Sequence, residues 1–386
     1  MASSPFAGPT LPACSVGAHK VALLRNGREV FPAMLEAIAA ARRKVQLEMY
    51  WIEDDSVGRT FRDALLKCAS RGVDVRVVVD GFGSSSLPST FFAGAAAAGL
   101  RVRVFKPIFV SLDPLRPRAV LARDHRKVLV VDDEIAFVGG LNLCEKWAPI
   151  GLGGEDWRDT AVRVDGPELP RQLRALFDAS WARAAGAREH DGRAQNVWSA
   201  EGGNIGVLAN TPEHRRRRKI RQAYLLGLRR ATRTVDITCS YFAPRHVFLR
   251  ALTATIKRGV RVRMILPLHG DVWIADVIAG SWVRVLASLG VQVFGYAGSV
   301  LHAKTAVFDA RWLTVGSHNL DALSWAYNLE CNVFVDDDAL GRQAVALFED
   351  DLLLSVKLPR PSRLGVADSF ADAVAAAMAA VYSFRL

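Results

Sequence analysis

Two copies of one short pattern place a histidine and a lysine two residues apart, with an aspartate five residues further on. The copies are His125, Lys127 and Asp132 in the first half of the chain, and His302, Lys304 and Asp309 in the second. A histidine can attack phosphorus or carry a proton for a leaving oxygen, and a lysine supplies positive charge for phosphate oxygens. Two copies together predict one phosphodiester-transfer site with a histidine on either side of the phosphorus.

Polar residues follow each copy within a glycine-containing segment. Asn142 comes after Gly-Gly-Leu, and Ser317 and Asn319 belong to Gly-Ser-His-Asn. These side chains can donate hydrogen bonds to phosphate oxygens, and glycine lets the backbone approach a ligand closely. Because these donors and the two lysines can stabilise the charge on the phosphate, we expect no metal and no other cofactor.

The carboxylates are expected to divide into two roles. Asp132 and Asp309 begin turns, so they are expected to brace the backbone around the motif. Asp159 and Glu330 occupy matching positions further along the chain, and either can bond the far nitrogen of an imidazole and fix its tautomer. We therefore count all four carboxylates with the two histidines and two lysines as candidate catalytic residues. His318 is expected to be a packing or rim residue, and the other histidines are expected at the surface: His19, His190, His214, His246 and His269.

The segments that must position these residues occur twice. Residues 44–53 resemble 234–243, residues 61–80 resemble 248–267, and residues 159–166 resemble 330–337. The second pair reads as an amphipathic helix, a turn at Gly72 or Gly259, and a valine-rich strand. We predict an α/β fold of two similar α/β/α sandwich halves packed about a pseudo-two-fold axis. The halves are predicted to span residues 1–190 and 200–386, with a linker near 183–203 and an apolar helix at the C-terminus.

Composition limits the partners. The chain has 386 residues, of which 51% are hydrophobic, and a formal net charge of +11. A basic surface favours nucleic acid or anionic lipid, without choosing between them. The five cysteines form no metal-binding pattern and are expected as reduced thiols. We find neither a signal peptide nor an apolar run long enough to span a membrane.

These motifs resemble the phospholipase D superfamily over nearly the whole chain. Residues 301–331, which include the second motif, are similar to bacterial cardiolipin synthases of the shorter type without N-terminal membrane helices. The resemblance implies transfer of a phosphatidyl group from one phosphatidylglycerol to another through a covalent phosphatidyl-histidine, with release of glycerol. It further implies that His125 is the nucleophile, that His302 is the general acid and base, and that Glu330 matches the orienting carboxylate better than Asp159.

The implied partners are anionic phospholipid, namely phosphatidylglycerol, and a membrane surface. We expect peripheral attachment at the cytoplasmic face of the cell membrane, through residues 106–123, 215–219 or 370–385. Nucleic acid is not expected, because stacking aromatics interleaved with basic residues are not evident around the motifs. The oligomeric state stays open. The alternatives are a hydrolytic phospholipase D, a phosphatidyltransferase using another alcohol, and an inactive membrane-binding scaffold.

Overall fold

A computed structural model describes residues 11–107, 122–186, 204–210, 219–271 and 273–358. The predicted linker, most of the segments 106–123 and 215–219, and the C-terminal apolar helix lie outside the described residues. We therefore keep the division into residues 1–190 and 200–386 as a proposal. No helix in the described part of the chain is long and apolar enough to cross a membrane.

The first half builds an eight-stranded sheet in the order β1-β2-β8-β7-β6-β3-β4-β5. Its strands are β1 (Cys14–Val16), β2 (His19–Arg25), β3 (Lys44–Met49), β4 (Asp74–Asp80), β5 (Leu100–Phe105), β6 (Lys127–Val131), β7 (Ile135–Gly139) and β8 (Thr160–Asp165). Strands β3, β4 and β5 pair in parallel, and the other pairs are antiparallel. The sheet is therefore mixed.

The second half builds a sheet of the same size in the order β16-β12-β11-β10-β13-β14-β15-β9. Its strands are β9 (Ile205–Asn210), β10 (Thr234–Cys239), β11 (Arg261–Pro267), β12 (Gln292–Tyr296), β13 (Lys304–Phe308), β14 (Trp312–Gly316), β15 (Glu330–Asp336) and β16 (Ser355–Lys357). The run β12-β11-β10-β13-β14-β15-β9 repeats the run β5-β4-β3-β6-β7-β8-β2. The duplication predicted from the sequence is thus a duplication of sheet topology.

Helices cover the sheets. They are α1 (Asn26–Ala40), α2 (Ser56–Ala69), α3 (Glu168–Ala184), α4 (Lys219–Arg230), α5 (His246–Lys257), α6 (Trp273–Leu289), α7 (Ala322–Ala326) and α8 (Asp338–Leu353), with 3-10 turns at Glu145–Trp147 and Ile150–Leu152. Gly72 and Gly259 follow α2 and α5 with φ of +87° and +84°, values that suit glycine. Both helices therefore end at the predicted turns.

The two sheets share a valine-rich core. Val128 and Val162 of the first sheet belong to the same buried cluster as Val315 and Val333 of the second. Separate clusters fill the space between each sheet and its outer helices. Helix α3 packs on the first sheet and also contacts β9, and α8 packs on the second sheet and contacts β2. The predicted pair of α/β/α sandwiches is confirmed, and its inner helices reach across the interface.

The motif aspartates Asp132 and Asp309 sit in the tight turns β6–β7 and β13–β14. They have φ of 55° and 54°, and the next residue in each turn also has positive φ, as in a type I′ turn. The Asp132 carboxylate accepts the backbone N–H groups of residues 42, 43 and 44, each at 2.8 Å. The Asp309 carboxylate accepts those of residues 232, 233 and 234 at 2.7–2.9 Å. Each aspartate therefore joins its hairpin to the start of the neighbouring central strand, away from the histidine.

Asp309→Asn is expected to lower the free energy of unfolding by about 1–2 kcal/mol, because an amide replaces charge-assisted bonds. Asparagine tolerates positive φ, so the loss reports the bonds and not backbone strain. Burial opposes ionisation of Asp309, yet its backbone donors hold its pKa below the usual value. The contribution is therefore complete above about pH 4 and is lost as the pH falls through the lowered pKa. Urea denaturation between pH 7 and pH 3 measures the difference.

Asp63→Asn, at an exposed carboxylate on α2, provides the control. It is expected to change the unfolding free energy by less than about 0.5 kcal/mol. An equal loss in both variants, or a loss for Asp309→Asn that does not shrink at low pH, would contradict the bracing role.

Candidate active site

The two motif histidines lie two residues before matching strands and dock on the opposite half. The backbone N–H of His125 donates to the carbonyl of Leu329 at 3.0 Å, and that of His302 donates to the carbonyl of Arg158 at 2.8 Å. Each histidine is at least nine-tenths buried. Because the two contacts exchange equivalent residues, the pseudo-two-fold axis passes between the histidines.

Two buried arginines hold these docking contacts in place. Arg126, the residue between His125 and Lys127, reaches across the interface to the carbonyl of Asn210 at 3.2 Å. Arg158 donates from Nε to the Asp351 carboxylate on α8 at 2.7 Å. The histidines are therefore positioned by contacts between the halves and not by either sheet alone.

Glu330 is the partner of His125. The Nδ1 atom of His125 lies 3.1 Å from one carboxylate oxygen of Glu330 and 3.2 Å from the other. Ser317 donates its hydroxyl proton to the same carboxylate at 2.5 Å. Burial opposes ionisation, but His125 and the other positive neighbours hold the pKa of Glu330 at about 2. The carboxylate therefore stays ionised and accepts Nδ1–H, which leaves the Nε2 lone pair of His125 free for chemistry.

Asp159 is the partner of His302 in the same crossed arrangement. Its carboxylate lies 2.7 Å from Nδ1 of His302, and the indole N–H of Trp147 donates to the same oxygen at 3.1 Å. Lys304 Nζ also lies 2.9 Å from that Nδ1. Since a carboxylate can only accept, Nδ1 carries the proton, and Lys304 acts on the ring by charge and not by a hydrogen bond. Burial, followed by Lys304, lowers the pKa of His302 to about 4.

Both lysines are buried beside their histidines. Lys127 donates to the backbone carbonyl of His125 at 2.8 Å, and Lys304 donates to that of His302. Burial lowers the pKa of Lys127 to about 7 and also lowers that of Lys304. An anion bound beside them would favour their charged forms. Charges from both halves act on the same groups, because Lys304 depresses the pKa of His125 and Lys127 depresses that of His302.

The predicted phosphate donors have different surroundings. Asn319 accepts the Ser240 hydroxyl proton through its amide oxygen at 2.9 Å, so its amide nitrogen can still donate. Asn142 is buried, and its amide oxygen has no hydrogen-bond partner within the described ranges. Ser317 departs from the expectation: its hydroxyl proton goes to Glu330, and the side chain is fully buried. In this structure Ser317 therefore supports a carboxylate in place of a phosphate.

Trp147 is a site residue that no sequence pattern indicated. The position matching Ser317 in the first half is Gly140, where an added Cβ would lie 2.3 Å from the Asp159 carboxylate. A serine has no room there, and the second donor to Asp159 comes from Trp147 on a 3-10 turn. The Trp147 ring also stands edge-on to His302, with centroids 5.1 Å apart. Trp147 belongs to a turn outside the motifs, so the spacing of residues in the sequence does not predict its hydrogen bond to Asp159.

Tyr50 provides the aromatic neighbour of the other histidine. Its ring lies 4.8 Å from that of His125, and Lys127 Nζ lies 4.8 Å from its centroid. His19, expected at the surface, is instead 5% exposed and accepts the Leu169 backbone N–H at 3.3 Å. Its position at the start of β2, beside α3, buries it.

Among the described residues, the candidate metal ligands are Glu53, Asp55 and Cys144, whose donor atoms lie within 4.8 Å of one another. Asp55 already caps α2 by accepting the Gly58 N–H at 2.8 Å, and burial raises the pKa of the Cys144 thiol. The group fits a helix cap better than a cation site.

Comparison with known proteins shows that this chain is similar to the cardiolipin synthases. A family model described as a cardiolipin synthase, phospholipase D-like domain matches residues 34–181 and 225–352. Cardiolipin synthase B of Escherichia coli strain K12 is 39% identical over 330 residues, which are 83% of this chain and 77% of that protein. The probable cardiolipin synthase YwiE of Bacillus subtilis strain 168 is 29% identical over 90% of this chain and 69% of its own length.

Solved structures resemble the fold at lower identity. Phosphatidylserine synthase of Haemophilus influenzae Rd KW20 aligns with a TM-score of 0.69 at 13% identity, over 97% of this chain and 95% of that one. Polyphosphate kinase of Porphyromonas gingivalis aligns with a TM-score of 0.57 at 14% identity, over 93% of this chain and 53% of that one. Both likenesses concern the fold alone.

Trp147→Phe is expected to cost about 1–2 kcal/mol of unfolding free energy more than Trp157→Phe. Both changes remove an indole beside His302, but only Trp147 donates to the buried Asp159; the indole N–H of Trp157 donates to the exposed Glu155. Chemical denaturation of the two variants at pH 7 gives the difference. Equal losses would show that the N–H of Trp147 does not support the carboxylate.

Proposed function

Since the chain belongs to the cardiolipin synthase family of phospholipase D-like proteins, we propose that it joins two phosphatidylglycerol molecules through a phosphatidyl-histidine. It is a phosphatidyltransferase that acts on phospholipid, as its relatives over most of its length are named cardiolipin synthases. The crossed His125–Glu330 and His302–Asp159 pairs carry the mechanism. They give one site with two imidazoles of defined tautomer.

In the first step, Nε2 of His125 attacks the phosphorus of one phosphatidylglycerol. A phosphorus–nitrogen bond forms and the phosphorus–oxygen bond to the glycerol head group breaks. His302, in its imidazolium form, gives its proton to the departing glycerol oxygen. The negative charge of the bound phosphodiester raises the pKa of His302 from about 4 in the empty site, so that His302 can carry this proton.

In the second step, a hydroxyl of the second phosphatidylglycerol gives its proton to His302 and attacks the phosphorus. The phosphorus–nitrogen bond breaks, His125 is restored, and cardiolipin leaves. Lys127, Lys304, Asn142 and Asn319 stabilise the charge on the non-reacting oxygens in both steps. Glu330 and Asp159 keep Nδ1 of each ring protonated and Nε2 directed at phosphorus. No metal or other cofactor enters this mechanism.

The proposal extends to location and organisation. The protein works at the cytoplasmic face of the membrane as a peripheral enzyme, where its phosphatidylglycerol substrates lie. Its halves, residues 1–190 and 200–386, each supply one histidine and the carboxylate for the other half. Neither half alone then has a complete site.

Incubation with vesicles of phosphatidylglycerol is expected to yield cardiolipin and glycerol in equal amounts, measured by mass spectrometry and a glycerol assay. His125→Ala and His302→Ala are each expected to lose at least about a thousandfold in rate, because each removes a group that forms or protonates a bond. Asp63→Asn serves as the folded, active control. Phosphatidic acid as the sole product would indicate a hydrolase, and no product would indicate a scaffold.

The roles of the two histidines can be separated with a p-nitrophenyl ester of phosphatidic acid, whose leaving group departs without a proton. His302→Asn is expected to release one nitrophenolate per chain in a burst and then stall with lipid bound covalently to His125. His125→Asn is expected to give no burst. Stopped-flow absorbance and peptide mass spectrometry read both results. A burst in His125→Asn alone would reverse the roles, and no burst in either would exclude the covalent path.

A further inference from the structure

Two arginines of the second half lie at the N-terminal ends of α4 and α5, helices that pack against each other. Arg221 is in the first turn of α4, and Arg245 occupies the N-cap position of α5. Each Nε is buried without a hydrogen-bond partner, and within the described part of the chain neither guanidinium forms an ion pair. Burial and the nearby charge of Arg245 both lower the pKa of Arg221. The pair therefore costs stability as it stands.

Other arginines with an unpaired buried Nε do not share this property. Arg28 and Arg174 also have a buried Nε without a hydrogen bond, but Arg28 forms an ion pair with Asp156, and the Nε of Arg174 lies 3.2 Å from the Asp133 carboxylate. A carboxylate balances each of those cations. Arg221 has Arg245 as its charged neighbour instead.

The position of Arg245 at a helix N-terminus is a second feature that lowers the stability of the fold. A helix N-terminus carries partial positive charge and favours Asp, Asn, Ser or Thr at the cap. Arg245 makes no side-chain capping bond. Met49 pairs with Lys127 and Cys239 pairs with Lys304, so Met49 and Cys239 are equivalent positions of the two halves. Six residues further along each chain segment, Asp55 is therefore the equivalent of Arg245. Asp55 caps α2 in the usual way, so the two halves carry opposite charges at equivalent positions.

The arginine pair lies at the active-site end of the second sheet. Strand β10 ends at Cys239, which pairs with Lys304, and the chain then continues directly to Arg245. Helix α4 follows β9, whose last residue Asn210 pairs with Glu330, and it then leads towards the start of β10. The N-terminal turns of α4 and α5 therefore lie at the edge of the sheet where the histidines and Glu330 lie.

We propose that Arg221 and Arg245 form a phosphate-binding subsite for an anionic phospholipid that lies beside the reacting one. A phosphate supplies acceptors for both guanidinium groups, offsets their mutual repulsion and suits a helix N-terminus. The position equivalent to Arg245 in the first half holds Asp55, whose carboxylate repels an anion. The subsite is therefore on one side only and gives the bound lipids a defined orientation. The lipid assignment depends on the proposed function; the anion site does not.

The full-length double variant Arg221→Gln/Arg245→Gln tests the subsite. The control Lys257→Gln/Arg261→Gln removes the same charge from exposed residues at the opposite end of the sheet. Binding is measured by co-sedimentation with vesicles of phosphatidylglycerol in phosphatidylcholine. The first variant is expected to bind about 30-fold more weakly than the parent and the control less than about threefold more weakly. Equal weakening of both variants, or no weakening of the first, would overturn the proposal.

Inorganic phosphate distinguishes a lipid phosphate from a free one. Phosphate that raises the Tm of the parent but not of the first variant, together with weakened vesicle binding, supports a subsite that binds lipid through its phosphate group. The same Tm result with unchanged vesicle binding would overturn the lipid assignment and leave a free-anion site. Cardiolipin formation by the parent is measured separately, so its absence would contradict the proposed function without affecting the binding result.

Arg245→Asp provides a readout that a purely structural role would not give. It copies the Asp55 cap and removes the repulsion on Arg221, so the Tm is expected to rise by about 1–3 °C. Vesicle binding is expected to fall as in the double variant. A lower Tm together with parent-like vesicle binding would show that Arg245 serves the fold and not a ligand.

Discussion

Each active-site imidazole is held by a carboxylate from the opposite half of the chain, and the rest of the structure depends on this exchange. His125 meets Glu330, and His302 meets Asp159, only when the two sheets pack face to face. The valine-rich core between the sheets sets their separation, and Arg126 and Arg158 cross the interface beside the site. Packing, backbone hydrogen bonds and charge thus all determine the positions of the two histidines and their carboxylate partners.

The duplication is imperfect where the chemistry needs two different groups. Glu330 has a serine hydroxyl as its second donor, whereas Asp159 has an indole N–H. The shorter aspartate lies against Gly140, which leaves no room for a serine side chain. His302 consequently sits among tryptophan rings, and His125 sits beside Tyr50 and Lys127. Two such environments give the histidines different proton affinities, as the proposed division into nucleophile and proton carrier requires.

Much of this arrangement could be predicted from the sequence because it depends on repeated local patterns. The repeat predicted two similar α/β/α halves, and the turn signals at Gly72 and Gly259 ended α2 and α5 where expected. The matching positions of Asp159 and Glu330 singled them out as partners for histidine. Contacts that depend on tertiary packing could not be predicted: the Ser317 hydroxyl turned towards Glu330, the indole of Trp147 reached Asp159, and His19 was buried by α3. The spacing of residues along the sequence does not indicate which side chain packs beside a buried carboxylate.

The crossed pairing also has a consequence for protein synthesis. His125 and Glu330 are 205 residues apart in the chain, so the proposed nucleophile has no partner until the ribosome has made most of the second half. Contacts this distant in sequence form late, because a long loop must close before they contribute. A nascent or truncated chain therefore presents a histidine of undefined tautomer in an open, hydrated surface. Under the proposed mechanism, reactivity towards lipid therefore begins only when both halves have folded together.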